Sequence, residues 1–268
     1  MIESLQYEFM QNALAAGLLA SIVCGIIGVY VVVNRMVFIS GGIAHTAFGG
    51  VGLSFFLGIS PMIGALFFAI ASALGIGMIS KKTKLPEDTA IGILWAVGMA
   101  LGVIFIGLTP GYVPGISTYL FGNILIVSSD DIRLMLILVT VIVSVVFLLY
   151  KGFFALSFDE EFGSIRGIPT GYLYFLLLCL IALSVIVMMQ AVGIILVIAL
   201  LTVPAAITKQ FTYSMKKMMI FSILLSMVFT VSGLLVSYKL NIASGATIIL
   251  IAGAGFIISL LFSKRSLH

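Results

Sequence analysis

NRMVFISGGIAHTAFGGVGL, residues Asn34 to Leu53, interrupts an otherwise greasy chain at about the depth of a membrane. It carries the only internal histidine, His45, inside an uncharged run. Five glycines surround that histidine: Gly41, Gly42, Gly49, Gly50 and Gly52. Glycine tolerates positive φ and lets other backbones approach closely. At lipid depth, such a cluster predicts helix that is broken or tightly packed and shielded from lipid by protein. The stretch reads as the lining of a transport path, with His45, Gly41 and Gly42 at its centre.

The rest of the chain fits that reading. Of 268 residues, 62% are hydrophobic and only 8% are charged, against about 25% charged in a soluble domain. One soluble core cannot hide this much apolar surface, so the sequence predicts an all-α polytopic membrane protein in a single domain, 1–268. A β-barrel would show short alternating segments, whereas these runs are continuous. The net charge of +4 is no nucleic-acid signal, because the basic residues sit in short loops. Cys24 and Cys179 lie in apolar runs and read as buried small hydrophobes without a disulfide.

Eight or nine spans are expected, at about 11–33, 43–59, 62–80, 89–108, 132–150, two within Gly167 to Thr208 broken near Gln190, 218–238 and 243–262. Pro61 marks the turn between the second and third. Residues 109–129 hold two prolines and three glycines and read as a re-entrant or interfacial excursion. Lysine and arginine placement sets orientation. With the loops at 81–88, 151–169 and 209–217 and the C-terminus in the cytoplasm, only Arg133 and Lys239 of the thirteen basic residues fall outside. Nine spans then put the N-terminus outside a cell (plasma or inner) membrane.

Three segments could carry function. In SFDEEFGSIRGIP, residues 157–169, Ser157 and Glu160 have capping-box spacing, and Asp159, Glu160 and Glu161 suit a helix N-terminus. Phe158, Phe162 and Ile165 share a helical face, and Gly167 with Pro169 ends the helix. The segment is either an amphipathic helix lying on the lipid interface or a docking helix for a partner's groove. His45 is either a ligand for a transition metal or an imidazole hydrogen-bonded to a freed backbone carbonyl. The run QAVGIILVIALLTVPAAITK, residues 190–209, contains Pro204, which marks a gate or a plain kink, with Thr202 or Thr208 able to re-satisfy the backbone. Gly98 and Gly102 form a low-specificity packing pair. No glycine precedes a lysine, so the chain has no phosphate loop. It is not itself an enzyme by this reading, and an energy-using partner would have to be a separate chain.

Taken together, these stretches resemble the membrane permeases of metal-ion ABC importers, which take up zinc, manganese and iron. Arg35-Met36 followed by GGIAHTAFGGVGL is similar to the family's first break. Phe158 to Gly167 looks like its Phe-Asp-Glu-Glu docking loop, and AVGIILVIALLTVPAAIT and Tyr119-Leu120-Phe121-Gly122 match two further signatures. The resemblance implies a fold like the type II importers such as the cobalamin permease, and a homodimer with the path at its interface. It also implies two copies of a separate ATPase docked on residues 157–168 and an extracytoplasmic metal-binding protein. No cofactor is held permanently; the divalent metal, zinc first and manganese or iron next, is cargo. Many members carry Asp four residues before the histidine, where this chain has Gly41. The rival readings are an iron-chelate or corrinoid permease of the same fold and an ion-gradient-driven secondary transporter. The latter usually keeps carboxylates within its spans, and none lies clear of a span end here.

Overall fold

In lipid no water pairs the backbone, so each crossing closes its own hydrogen bonds, and helices do so. The structure, a computed structural model, describes residues 7–262 apart from 84, 112–121 and 123, and of residues 190 and 191 the backbone alone. Among the described residues there is helix and no strand: α1 (Glu8–Val33), α2 (Val37–Leu57), α3 (Pro61–Lys82), α4 (Glu87–Leu108), a 3₁₀ turn at Ile124–Ile126, α5 (Ser129–Leu148), α6 (Tyr150–Phe158), α7 (Glu160–Ile165), α8 (Thr170–Phe211), α9 (Met215–Leu240) and α10 (Ser244–Phe262). Nine described segments are long and apolar enough to span a membrane: α1 to α5, the two parts of α8, α9 and α10. Most of the excursion expected at 109–129, with Tyr119, Leu120 and Phe121, lies outside the described residues.

The helix ends follow local chemistry. At the α1–α2 corner Arg35 takes a left-handed φ of 59°, and the Met36 N–H donates to the Val31 carbonyl at 2.8 Å, closing the end of α1 as a Schellman turn does. Gly58 (φ 67°) ends α2, and Ser60-Pro61 opens α3 with proline in the first turn, where its missing N–H costs nothing. Ser128 and Asp131 form a capping box at the start of α5. Asn241, at φ 52°, turns α9 into α10.

α8 is 42 residues long. Straight, it would measure about 63 Å, twice the roughly 30 Å hydrocarbon core. It is interrupted at Gly193, whose φ of 77° and ψ of 162° suit glycine alone, and both ends meet the same rim. At one end Tyr174 donates to Glu87 at 3.1 Å. At the other, Lys209 donates to the Val32 carbonyl at 3.2 Å, next to the α1–α2 corner. The break expected near Gln190 is therefore a reversal at Gly193. On the opposite rim Gly122, at φ 71°, lies against Val192 and Gly193 so closely that a Cβ would strike the Val192 carbonyl.

α1, α2 and α8 form the interior. α2 is the most enclosed, with 78% of its spanning window buried against 17% for α4. Of the two alternatives for the glycine stretch, tight packing is the one found: Val37–Leu57 is one continuous helix whose glycines pack on α3 and α4. One expectation changes: the segment after span five is not a loop throughout. After one residue, Leu149, α6 continues, held by Phe153, which is fully buried against Tyr30 with ring centroids 5.5 Å apart.

Candidate translocation path and docking segment

Helix association in a membrane rests on close packing and interhelical hydrogen bonds rather than on the hydrophobic effect. The α2–α4 pair illustrates this. A Cβ on Gly98 would lie 2.6 Å from Thr46 Cα, and one on Gly49 2.6 Å from the Gly98 carbonyl oxygen. Gly102 packs on Phe48, and Gly50 meets Gly64 of α3 backbone to backbone. Gly98 and Gly102 thus do form a packing face. Thr46 adds a hydrogen bond across the pair, donating to the Leu94 carbonyl at 3.1 Å as well as to Gly42 in its own helix.

His45 sits at this seam. Its ring is half-buried and stacks on Trp95 of α4, centroids 4.1 Å apart and planes 9° from parallel. Nδ1 is buried and has no hydrogen-bond partner among the described residues, so the carbonyl-bonded alternative is not what Nδ1 does. Gly41, one turn earlier, faces Ile198 and Trp95 with room to spare: a Cβ there would lie 3.6 Å from Ile198 Cδ1 and 4.0 Å from the indole. Gly42 instead packs on Ile91, 2.6 Å from a built Cβ. His45 and Gly41 therefore share one small space and Gly42 belongs to the helix contact. Trp95 was not among the residues singled out from sequence, although the one tryptophan of the chain in an uncharged span was a visible signal. No group of three or more His, Cys, Asp or Glu residues is placed to hold a metal among the described residues.

The segment at 157–169, the candidate for docking, differs in detail from its sequence reading. Asp159, not Ser157, caps α7, accepting from the Phe162 N–H at 2.8 Å. Ser157 is the penultimate residue of α6, where its hydroxyl donates to Phe153 O at 2.8 Å and accepts from Asn34 Nδ2 at 3.0 Å. The expected capping box thus fails because α6 runs on to Phe158 and the chain breaks at Asp159. Phe158 consequently belongs to α6 while Phe162 and Ile165 belong to α7, yet all three side chains are exposed. Glu160 is tied down: Lys81 Nζ donates to its Oε1 at 3.1 Å and lies 4.6 Å over the Tyr174 ring. Glu161 is exposed, and Gly167, at φ 79°, follows the end of α7 as expected. The Asn34–Ser157 bond joins this segment to the corner from which the helix of His45 starts.

Pro204 lies inside the second part of α8 without a break in helical geometry, which occurs eleven residues earlier at Gly193. Thr202 donates to Ile198 O and Thr208 to Ala205 O, so neither hydroxyl replaces the N–H that Pro204 cannot offer to the Leu200 carbonyl.

The comparisons with known proteins fit this architecture. A family profile described as the ABC 3 transport family matches residues 6–263. The chain belongs to that family. It is the membrane permease subunit of an ABC transporter of metal ions. A manganese transport system membrane protein, MntC, of Listeria monocytogenes is 36% identical over 97% of this chain and 93% of its own. An uncharacterized membrane protein of Synechocystis is 48% identical over 98% of this chain and 94% of that one. Among solved structures, PsaBC from Streptococcus pneumoniae in complex with Fab superposes with a TM-score of 0.89 at 33% identity, covering 98% of this chain and 95% of that one.

Proposed function

We propose that this permease imports a free divalent transition metal, and that His45 is the side chain that holds the ion in passage. The observation that carries this is the buried, unpartnered Nδ1 of His45, stacked on Trp95 beside the open space at Gly41. Leaving a buried acceptor unpaired costs free energy, and a neutral imidazole nitrogen is a metal ligand. With glycine in place of a carboxylate at residue 41, the ion meets one protein ligand per chain. Such a site is weak, as transport requires, since a tight one would trap the cargo. Manganese is the first cation to test, because the relative from Listeria is named for manganese; zinc and iron come next.

The working assembly is a homodimer with two ATPase chains on the lysine-bearing rim, which faces the cytoplasm, and a metal-binding protein on the opposite face. ATP closes the ATPases against Phe162, Ile165 and Glu161. The Asn34–Ser157 bond passes that movement to the start of α2, whose His45 stands about 12 Å further along the helix. Gly122 against Gly193 closes the outer end.

The test is manganese uptake into proteoliposomes holding the permease and its ATPase, with His45→Ala against wild type. A loss of at least tenfold with ATPase co-purification intact is expected. Unchanged uptake removes His45 from the path, and uptake that persists without any ATPase removes the ABC mechanism.

A further inference from the structure

α5 and α9 both pack on α1 rather than on each other, and the gap between them is a groove of about 780 Å³. Ile26 of α1 lies in its floor, and Val146 of α5 and Ile223 of α9 in its walls. That volume is within the roughly 300–1,000 Å³ of sites that take small molecules. Its apolar length runs to the lysine-bearing rim, where Tyr150, Lys151 and Lys216 line it. Lys216 Nζ stands 5.3 Å over the Tyr150 ring, and neither lysine forms an ion pair among the described residues.

We infer that this groove is a binding site for an anionic phospholipid of the cytoplasmic leaflet. Acyl chains lie along Ile26, Val146 and Ile223, and the phosphate sits between Lys151 and Lys216. The charge is complementary: two ammonium groups without a carboxylate partner stand at headgroup depth over an apolar slot, in the leaflet whose surface is negative. Basic pockets between transmembrane helices on that side suit such headgroups. The groove lies apart from His45, and the assignment rests on the orientation given above.

The full-length permease with its ATPase, reconstituted in nanodiscs of phosphatidylglycerol and phosphatidylcholine, tests it by native mass spectrometry of the lipid retained after delipidation. Wild type is expected to retain phosphatidylglycerol preferentially. A lysine near an anionic surface is worth a factor of about five, so Lys151→Gln with Lys216→Gln should cut the preference by roughly 25-fold. Lys217→Gln, one residue away but outside the groove, should leave it unchanged. Ile220→Trp, which fills the slot from its exposed wall, should reduce retention of both lipids. Inorganic phosphate should not compete. Equal retention of the two lipids by wild type overturns the site, as does an equal effect of Lys217→Gln. Disulfide cross-linking of a Phe147→Cys variant to a second copy also overturns it, by showing that protein covers the groove. Manganese uptake by wild type is read in parallel, so a failure of the lipid site is distinguishable from a failure of the transport assignment.

Discussion

At residue scale, the site turns on what stands beside one imidazole. Trp95 fixes the ring plane of His45, and Gly41 leaves open the space one turn away. A carboxylate placed there would share a helix face with the imidazole, and the room around Gly41 accepts it without overpacking. Gly41→Asp should therefore bind manganese more tightly and release it more slowly. Initial-rate uptake should show a KM lowered about tenfold or more together with a reduced maximal rate, and an unchanged KM would mean that the two positions do not act on one ion. Trp95→Ala should lower uptake several-fold by freeing the ring, with Trp95→Phe restoring most of it. His45 stood out in the sequence as the one titratable imidazole in a run free of Asp, Glu, Lys and Arg. Trp95 stood out too, as the one tryptophan, but its pairing with His45 did not, since stacking joins residues fifty positions apart and leaves no local periodicity.

At element scale, the glycines of α2 and α4 are structural in the sense that they set how near two backbones come. Gly98→Val should cost about 1–3 kcal/mol by overpacking against Thr46, lowering the thermal midpoint of the detergent-solubilised protein. Gly92→Ala on the same helix, where an added Cβ meets nothing within 4 Å, should leave it unchanged. An equal loss at Gly92 would show that the sensitivity does not lie in the seam, since alanine is the better helix former. The docking segment divides in the same way. Asp159→Ala removes a cap and should destabilise α7 by about 1 kcal/mol. The half-exposed Lys81–Glu160 pair, with side chains 34% and 50% exposed, contributes about 0–1 kcal/mol. Glu161→Lys, which touches neither, should leave folding alone and abolish ATP-dependent uptake. Full transport by that variant would discard the docking role. Sequence spacing found this segment but misplaced its cap, because Ser157 satisfies α6 and Asn34 instead. That choice depends on a tertiary contact 123 residues away, which spacing cannot show.

At the scale of the whole molecule, apolar runs bounded by charge narrowed the crossings to eight or nine, and nine described segments are long and apolar enough to cross; the grouping of the basic loops on one rim followed from the cost of burying lysine in lipid. The long uncharged run from Gly167 to Thr208 was harder. Hydropathy says that it crosses twice, but only backbone geometry shows that one glycine makes the reversal. Gly193→Ala should therefore be more damaging than any substitution at Pro204. An L side chain cannot hold Gly193's backbone conformation, whereas helical geometry persists through Pro204. Expression and thermal unfolding of the two variants would rank them. The stacked pair at the seam has a last consequence. The indole beside His45 is the only one in the 268 residues, so under ultraviolet light too long in wavelength for tyrosine to absorb, the intact protein emits from a single point beside the proposed route, and an ion arriving at the imidazole should dim or shift that glow without any dye being attached.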